Sequence, residues 1–501
     1  MVGGNDMAIY GFSPFGYEGD LITVETDIRH GFPAVDIVGL ADSEVKGARE
    51  RVRSAICNSG FDFPQERVLI GLSPADLKKE GAGFDLPMAL SVLETKDGKE
   101  HHSPVLAIGE LELNGNVRNT KGVYIALQKA VCAGIKDAII PKDDTFEIPE
   151  GINVCMVSDL SEAYTALFDP DSVGVIKKKS ADHEDTITFT KPAIPGLDGF
   201  KGHGTQKLAM AVAAAGRHNL LFYGAPGCGK SLLLQDFPEL MPDLLKEEED
   251  SVKRIYSITG LQGLLKTARP FRQPHQTASI EGMCGGGVHL NPGEISLAHN
   301  GVLFLDEAAE FRTSCLQMLR VPMETRNITL CRAGRTVIYP ADFQLLMAAS
   351  PCPCGNYGDK HKMCLCSTRA IELYWKKFSS PLLDRVEIRM SIEEDDLDYS
   401  ADELREMIKT AWETQLKRQV KLNSRLTSEE VKKYCKLSTL FLKEEYANAV
   451  NRNNWSQRSA DNVLKLARTV ADMHGHDCIS DSDLQLACSL HGATPLESLL
   501  D

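Results

Sequence analysis

The sequence predicts an α/β protein of several domains with a helical C-terminal region. Its 501 residues are enough for two or three domains. In the middle of the chain, short apolar runs typical of buried strands alternate with helical patterns, beginning with 220–223 and 231–237. From about residue 391, five helical patterns follow one another. They cover 401–418, 428–435, 438–451, 458–474 and 480–489.

Composition places the chain among ordinary globular proteins, with 43% apolar and 25% charged residues. No stretch reaches the apolar length of a membrane span, and the first residues lack a signal peptide, so we expect a cytoplasmic protein without a membrane partner. In that compartment its 14 cysteines should be thiols or metal ligands. The net charge of −15 disfavours a generally nucleic-acid-binding surface but permits a local basic channel.

Residues 224–231 match the phosphate-binding pattern G-x-x-x-x-G-K-[ST]. The glycines let backbone N–H groups approach phosphate oxygens, Lys230 should reach the β- and γ-phosphates, and Ser231 should hold Mg²⁺. The alternative is an ordinary glycine turn before a helix, which the apolar run on one side and the helical pattern on the other disfavour. The predicted nucleotide-binding residues are Gly224, Ala225, Pro226, Gly227, Cys228, Gly229, Lys230 and Ser231.

A second apolar run, 301–305, ends in Asp306 and Glu307. A run that is apolar on both faces indicates a central parallel strand, and open α/β sheets bind ligands at the carboxyl ends of such strands. Alone, these would be two solvated acids at a strand end. After a phosphate loop, the pair predicts an ATP site in which Asp306 holds Mg²⁺ and Glu307 polarises the attacking water.

Four segments follow from the change of pattern along the chain. Residues 1–168 read as an α/β domain, with an amphipathic helix at 43–58 and a hairpin within 106–118. Residues 169–188 are polar and aperiodic, which predicts a linker. The ATPase core is predicted at 189–390 and the helical C-terminal domain, a lid, at 391–501.

Three stretches of the first domain, 38–49, 72–81 and 84–90, resemble the YifB/ComM family of magnesium-chelatase-like AAA+ ATPases. The resemblance extends over nearly the whole chain. It implies a Lon-protease-type fold for the N-terminal domain. It also implies a AAA+ core of the clade with a helix-2 insertion and a pre-sensor-1 hairpin.

Proteolysis is not expected in spite of the Lon-type fold. Lon proteases carry their serine in an Asp-Gly-Pro-Ser-Ala-Gly turn, and the matching turn here, 80–83, has none. Ser73 and Lys79 lie nearby in the sequence, but a Ser-Lys dyad requires a geometry that the sequence does not show.

The helix-2 insertion of the family corresponds to the segment from about residue 269 to residue 301, whose three glycines at 285–287 indicate a flexible loop. The pre-sensor-1 hairpin corresponds to 328–339, and in that clade its tip faces the ring pore. Arg332 and Arg335 flank the predicted turn, so the resemblance makes them candidate DNA contacts. The alternative is a surface hairpin with unrelated arginines.

Three further site residues follow from the same resemblance. Ser350 stands where the family has the sensor-1 asparagine, which orients the attacking water. Arg385, in Leu-Leu-Asp-Arg, corresponds to the arginine finger that reaches a neighbouring subunit, unless it pairs with Asp384 as a helix-end ion pair. Arg458 corresponds to sensor 2, which is expected to read the γ-phosphate within its own chain.

Four cysteines form a C-x-C, nine residues, C-x-C pattern on a loop rich in proline and glycine. Four thiolates suit a closed tetrahedral Zn²⁺ site. The alternatives are free thiols, or His361 in place of one ligand. The candidate ligands are Cys352, Cys354, Cys364 and Cys366.

Together these observations predict a Mg²⁺-dependent ATPase that assembles into a ring of identical subunits, with six the expected number. By resemblance to ComM-type branch-migration helicases, the leading hypothesis is a motor that moves on single-stranded or branched DNA. One alternative is a AAA+ protein remodeller, and another is the motor subunit of a metal chelatase. Stimulation of ATP hydrolysis by DNA separates the first hypothesis from the protein remodeller.

Overall fold

The computed structural model describes residues 7–40, 42–177, 186–190, 196–261, 268–358 and 362–493. It confirms a mixed α/β chain in which a large N-terminal sheet, a parallel central sheet and a helical C-terminal region follow one another. Within these ranges, no helix combines the length and the apolar character needed to cross a lipid bilayer.

The N-terminal domain is built on one eight-stranded sheet. Its strands are β1 (Ile9–Phe15), β2 (Glu18–Arg29), β3 (Ala34–Val38), β4 (Arg67–Ser73), β5 (Val105–Ala107), β6 (Glu110–Leu111), β7 (Val117–Arg118), β8 (Asp137–Pro141), β9 (Asn153–Val157) and β10 (Val175–Lys177). Its helices are α1 (Ser43–Asn58), α2 (Asp85–Asp97), α3 (Val123–Cys132), α4 (Leu160–Phe168) and α5 (Pro170–Val173). The sheet order is β10-β9-β8-β5-β1-β2-β4-β3, and β6 and β7 form a separate hairpin.

The two faces of this sheet are covered differently. Apolar side chains of α1, α2 and α4 pack on one face, as the predicted amphipathic stripe of α1 requires. The other face packs on α3 and also on Leu290, Val337 and Tyr339, which belong to the ATPase core. The N-terminal domain therefore shares a hydrophobic core with the segment predicted to be the pre-sensor-1 hairpin.

The predicted linker begins later than the sequence indicates. Residues 170–177 form α5 and β10, and β10 pairs antiparallel with β9, so they extend the N-terminal sheet. A strand of three residues is too short for the alternation of apolar and polar residues to be recognised. Residues 178–185 of the linker lie outside the described residues.

The ATPase core has five parallel strands in the order β12-β15-β18-β11-β19. The core strands are β11 (Leu220–Tyr223), β12 (Phe271–Arg272), β13 (Gly285–Gly286), β14 (Asn291–Pro292), β15 (Val302–Leu305), β16 (Asn327–Arg332), β17 (Arg335–Pro340), β18 (Gln344–Ala349) and β19 (Ile388–Ser391). The helices are α6 (Gly204–Gly216), α7 (Lys230–Gln235), α8 (Lys246–Thr259), α9 (Ile280–Cys284), α10 (Glu294–Leu297), α11 (Thr313–Met318), α12 (Arg320–Thr325), α13 (Thr368–Trp375) and α14 (Ser380–Leu383). Every residue of β15 and β18 is buried, as expected of central parallel strands.

The glycines of the insertion form a tight hairpin rather than the flexible loop expected from the sequence. Gly285 pairs with Pro292 and Gly286 with Asn291. All three glycines, 285 to 287, have positive φ angles. A Cβ atom on Gly285 would lie 2.3 Å from the carbonyl oxygen of Asn291. The glycines are needed because two strands approach each other closely here. From the sequence alone, a glycine required for close packing looks the same as a glycine in a flexible loop.

The C-terminal region contains the five predicted helices, with ends shifted by a few residues at most. They are α15 (Ala401–Gln419), α16 (Ser428–Tyr434), α17 (Leu440–Arg452), α18 (Gln457–Met473) and α19 (Asp481–Leu490). Helices α15 and α18 pack on the alanine-rich helix α6 of the core. Trp412 of α15 donates from Nε1 to the carbonyl oxygen of Ala214 at 3.1 Å, and the small side chains of α6 allow this close approach.

Candidate nucleotide site and the arginines around it

The phosphate loop connects β11 to α7 at the carboxyl edge of the parallel sheet. Gly227 and Gly229 both have φ angles of 85°, a left-handed conformation that glycine adopts without steric cost. The Nζ atom of Lys230 lies 2.8 Å from the carbonyl oxygens of both Gly224 and Ala225. The lysine is thus folded over the loop that the motif predicts to surround phosphate.

The predicted magnesium ligands meet across the sheet. Asp306 follows β15, Ser231 follows β11, and β18 lies between these two strands. Ser231 Oγ nevertheless donates to Asp306 Oδ1 at 2.7 Å. A hydroxyl and a carboxylate held this close beside a lysine are the donor set that Mg²⁺ bound to a nucleotide requires, so these residues fit the expected Mg²⁺ and ATP.

Glu307 lies exposed beside this pair in a strained conformation. Its φ angle is 49°, which is uncommon for a residue other than glycine. Its N–H donates to Asp306 Oδ1 at 3.0 Å, and its carbonyl oxygen accepts from Glu310 N at 2.7 Å. Such strain persists only where surrounding contacts impose it, and it is concentrated at functional sites.

Ser350 follows β18 and therefore lies on the same edge of the sheet, between the ends of β11 and β15. The Tyr374 side chain lies near the backbone and the hydroxyl of Ser350. Burial raises the pKa of this tyrosine above its ordinary value, and the neighbouring Ser350 opposes that shift. Tyr374 is a neighbour of the site that no sequence motif indicates.

Arg385 lies at the amino-terminal ends of the parallel strands, opposite the ends that carry the phosphate loop. Its carbonyl oxygen accepts a hydrogen bond from the side chain of Asn219 at 2.8 Å, and Asn219 directly precedes β11. The four residues of β11 separate Arg385 from the phosphate loop, which is about 13 Å along the strand. Arg385 is therefore remote from the phosphate loop of its own chain.

The guanidinium of Arg385 pairs with Glu324 rather than with Asp384. Its Nη2 lies 2.5 Å from Glu324 Oε1, and Arg458 contacts the same oxygen. The hydrogen bond from Arg458, together with the charges of both arginines, lowers the pKa of Glu324 below its usual value. Glu324, on α12, is a second site residue that the sequence does not indicate.

The expectation that Arg458 acts within its own chain does not agree with this position. Asn462, on the second turn of α18, donates to the carbonyl oxygen of Asp384 at 3.0 Å, which holds the start of α18 at the amino-terminal ends of the strands, where Arg385 lies. Arg458 is thus placed beside the predicted arginine finger. The phosphate loop of the same chain lies at the other ends of the strands, after β11.

The predicted hairpin is present as β16 and β17, with Arg332 opposite Arg335. Its turn residues Ala333 and Gly334 have φ angles of 48° and 78°, the pattern of a two-residue hairpin turn. Arg332 is exposed. Arg335 instead lies 2.5 Å from Glu80 of the N-terminal domain. Of the two candidate DNA contacts, Arg332 is therefore exposed and Arg335 is held in an ion pair.

Further contacts hold the hairpin on the N-terminal domain. The Arg335 guanidinium stacks over the Phe15 ring at 6.0 Å from its centroid. Val337 packs tightly on Gly16, because a Cβ atom added to Gly16 would lie only 2.1 Å from Cγ1 of Val337. A cavity of about 540 Å³ lies between the two domains, lined by the turn 80–83, Tyr339 and other residues of both.

The residues around the turn 80–83 do not form a protease dyad. Lys79 is buried, and its ammonium group donates to the carbonyl oxygen of Pro74. Ser73 is exposed. A dyad requires the lysine to accept the proton of the serine hydroxyl, so this arrangement agrees with the absence of a nucleophile in the turn.

The four predicted zinc ligands come together beside the phosphate loop. Cys352 Sγ lies 3.4 Å from Cys354 Sγ and 3.6 Å from Cys364 Sγ, and all four sulfur atoms lie within 4.8 Å of one another. Tetrahedral Zn²⁺ with Zn–S bonds of about 2.3 Å separates its sulfur ligands by about 3.8 Å. The four thiols therefore fit a zinc ion, while His361 lies outside the described residues.

The first residues of the loop that carries these cysteines are held by two contacts. Trp375 donates from Nε1 to the carbonyl oxygen of Pro351 at 2.9 Å. Gly355 lies against Pro226 of the phosphate loop, where a Cβ atom would approach the proline ring to 2.7 Å. A backbone hydrogen bond from Asn356 and the neighbouring thiols lower the pKa of Cys354 to about 6, whereas burial and the neighbouring thiols raise the pKa values of Cys364 and Cys366.

The parallel sheet, the phosphate loop and the acid pair define this protein as a P-loop ATPase of the AAA+ class. Three family models match successive parts of the chain: subunit ChlI of Mg-chelatase at 24–144, magnesium chelatase subunit ChlI at 196–399, and the ChlI C-terminal region at 398–491. The chain belongs to the YifB/ComM family of magnesium-chelatase-like proteins, which confirms the resemblance found in the sequence.

Two relatives are similar over almost their whole length. Protein YifB of Escherichia coli strain K12 is 36% identical over 488 residues, which cover 93% of both chains. Competence protein ComM of Haemophilus influenzae is 34% identical over 501 residues, which cover 94% of both chains. A weaker similarity, 27% identity over 171 residues, relates 31% of this chain to 22% of the Lon protease of Vibrio parahaemolyticus.

Proposed function

We propose that this protein is a Mg²⁺-dependent ATPase that works as a ring of identical subunits, expected to be six, and translocates on DNA in the cytoplasm. The observation that carries the proposal is the position of Arg385, which lies beside the start of β11 and pairs with Glu324, remote from the phosphate loop of its own chain. An arginine finger in that position serves a nucleotide bound by a neighbouring subunit. Head-to-tail contacts of this kind generate closed rings when the rotation between subunits permits.

Each residue of the nucleotide site has a distinct role in this proposal. The loop amides and Lys230 bind the β- and γ-phosphates of ATP, and Ser231 and Asp306 would hold Mg²⁺, which screens phosphate charge. Glu307 accepts a proton from the attacking water at its carboxylate. Ser350 orients that water, and Tyr374 lies beside this serine.

We place both arginines on the nucleotide of the neighbouring subunit. Arg385 and Arg458 share one oxygen of Glu324, so a phosphate brought to one of them is close to both. Two guanidinium groups then stabilise the charge that develops on the transferred phosphoryl group. Glu324 holds them in position until the phosphate replaces it as their partner.

The DNA contacts of the proposal lie on the hairpin. Arg332 is exposed at its tip and Arg335 stands opposite it. Contacts from arginine to phosphate oxygens bind DNA with little sequence preference and strong salt dependence. Membership of a family that includes a competence protein supports DNA as the substrate. The Lon-like fold proposed for residues 1–168 then serves as a support for the hairpin and has no peptidase role.

The decisive experiment measures ATP hydrolysis with and without single-stranded or branched DNA. The wild type should be stimulated, and the Arg332→Ala, Arg335→Ala variant should keep its basal rate and lose the stimulation. Arg452→Ala, which removes an exposed arginine of α17, is the matched control and should behave like the wild type. Hydrolysis that does not respond to DNA would favour the protein remodeller, and full stimulation of the double variant would place the DNA contacts elsewhere.

We also propose that Cys352, Cys354, Cys364 and Cys366 hold one structural Zn²⁺. The support is the convergence of four sulfur atoms at near-tetrahedral separations. Elemental analysis of protein purified without chelator should find one zinc per chain, and Cys354→Ser, Cys364→Ser should lose it. Cys132→Ser, an exposed thiol elsewhere, is the control. Wild-type protein without zinc would contradict this assignment.

A further inference from the structure

Three side chains with no role in the nucleotide site converge between α18 and α19. The Nδ1 atom of His474 lies 3.0 Å from Asp483 Oδ1, and the Nδ1 atom of His476 lies 2.8 Å from Asp483 Oδ2. The two imidazole rings have their centroids 5.5 Å apart. One ligand atom from each residue lies within 4.8 Å of the others, which is close enough for a single metal ion.

A left-handed glycine brings the two histidines to one side. His474 is the residue that ends α18, and the φ angle of Gly475 is 72°. Residues two apart in a helix lie on nearly opposite sides, so a continuous helix would not bring these two imidazoles to one carboxylate. Here the reversal at Gly475 returns the chain, so that His476 reaches the same carboxylate as His474.

The backbone that carries these residues is held rigidly. Arg468 is buried, donates from Nη1 to the carbonyl oxygen of Asp477 at 2.8 Å, and also contacts the carbonyl oxygen of His476. Asp483 accepts from the N–H and the hydroxyl of Ser480, at 2.9 and 2.7 Å, in the capping box that begins α19. Because the ligands are already positioned, an ion would bind with little loss of conformational entropy.

Ligand type and exposure indicate which ion this cluster takes. The Asp483 side chain is fully buried, whereas those of His474 and His476 are 40% and 43% exposed, so water can complete the coordination. Two imidazoles and a carboxylate suit first-row divalent ions such as Zn²⁺. Tetrahedral bonds of about 2.1 Å separate ligands by about 3.4 Å, so each Nδ1–O distance needs to open by about half an ångström.

We propose that His474, His476 and Asp483 form a second metal site, separate from the four cysteines, which binds Zn²⁺ or a related divalent ion and fastens the end of α18 to the start of α19. Helix α18 carries Arg458 at its other end. The ion therefore stiffens the helix that presents this arginine.

The test uses the full-length protein, stripped of metal with a chelator and titrated with Co²⁺ and with Zn²⁺. Cobalt bound by the cysteines shows thiolate-to-metal charge-transfer absorption, and cobalt bound by imidazole and carboxylate does not, so one titration separates the two sites. The variant is His474→Ala, His476→Ala, whose exposed side chains can be removed without opening the core. His30→Ala, His102→Ala, two exposed histidines elsewhere, is the control.

We expect the wild type and the control to bind one more equivalent of Zn²⁺ than the variant, with the charge-transfer band equal in all three. The thermal midpoint should rise on addition of Zn²⁺ more in the wild type than in the variant, since an ion that binds the folded state stabilises it. Equal zinc content and equal cobalt titrations in the wild type and the variant would overturn the proposal. In that case the cluster is only a pair of imidazole–carboxylate hydrogen bonds.

Discussion

The side chains of Arg335 and Glu80 lie 2.5 Å apart, although 255 residues separate them in the chain and each belongs to a different domain. Glu80 also lies 2.6 Å from Lys78. Burial alone would raise the pKa of Glu80, but hydrogen bonds from Lys78 and Arg335 bring it below its usual value. The N-terminal domain thus holds, by an ion pair, one of the two arginines proposed to bind DNA.

Replacing Glu80 by glutamine should free Arg335 for DNA. A partly exposed ion pair contributes ~0.2–1 kcal/mol, so the DNA concentration needed for half-maximal stimulation should fall by up to about fivefold. Glu112→Gln, which removes a carboxylate paired with Arg118 inside the N-terminal domain, is the matched control. If Glu80→Gln needs more DNA than the wild type, the ion pair supports the binding conformation of the hairpin instead of competing with DNA.

Lys230→Ala should abolish ATP hydrolysis, because its ammonium group is the cation expected on the β- and γ-phosphates. Glu307→Gln should keep ATP binding, since an amide of the same size leaves the phosphate contacts intact, but it should lower turnover by about 10²-fold or more by removing the proton acceptor. Binding of a fluorescent ATP analogue and a phosphate-release assay measure the two effects separately. Turnover at the wild-type rate in Glu307→Gln would refute its role.

Mixing two inactive variants should restore activity if Arg385 acts between subunits. Arg385→Ala alone should lose about 10³-fold in turnover. In an equal mixture with Lys230→Ala, about a quarter of the interfaces should combine an intact phosphate loop with an intact finger, provided that subunits exchange freely. The control replaces Lys230→Ala by the double variant Lys230→Ala, Arg385→Ala, which offers no finger. A mixture as inactive as its components would show that the site lies within one chain.

Ser350→Asn should leave nucleotide affinity unchanged and maintain or raise turnover, because a residue in this position acts on water rather than on bound phosphates. Ser350→Ala should lower turnover, and Tyr374→Phe should lower it less, since the serine hydroxyl remains while a neighbouring polar group is lost. Steady-state hydrolysis with nucleotide affinity measured in parallel distinguishes these outcomes. A large loss in Ser350→Asn would indicate that the hydroxyl has a different local role.

His299 should make the stability of the core depend on pH. Its Nδ1 accepts from the N–H of Asp342 at 3.0 Å, and burial lowers its pKa to about 4, against about 6.5 in the unfolded chain. The unfolded state therefore binds the proton first, so this stability is complete above about pH 6.5 and is lost as the pH falls towards 4.

The contribution of His299 to the free energy of unfolding should fall by about 1.4 kcal/mol between about pH 7.5 and about pH 5.5. Urea denaturation of the wild type and of His299→Gln at both pH values gives this difference, and His102→Gln, at an exposed position, is the control. The variant should be less stable at the higher pH but show a shallower dependence on pH. An unchanged slope would mean that His299 titrates alike in both states.

The part of the site that could be predicted from the sequence consists of local motifs. The phosphate loop and the pair Asp306 and Glu307 each consist of consecutive residues whose chemistry and flanking strands are visible together. The four cysteines were also found, because two short C-x-C motifs lie on one loop. In each case the informative residues are neighbours in the chain.

The remaining site residues depend on contacts between distant segments. Glu324 meets Arg458 across 134 residues, and no pattern around either residue indicates the other. Arg385 lies at the amino-terminal ends of the strands because it contacts Asn219, which precedes β11. This contact between distant segments becomes visible only once the strands are assembled into the sheet. For His474 and His476, the H-G-H sequence with an aspartate seven residues later was a signal that could have been read as a metal motif.

The position of Arg385 also has a genetic consequence. In the proposed ring, one subunit supplies the phosphate loop and the next supplies the finger, so every nucleotide is bound by two polypeptides. A chain that folds and assembles but lacks Arg385 spoils the site of its neighbour while its own loop stays intact. In a cell that makes both forms, such an allele is dominant over the normal one, whereas an allele that prevents folding is recessive.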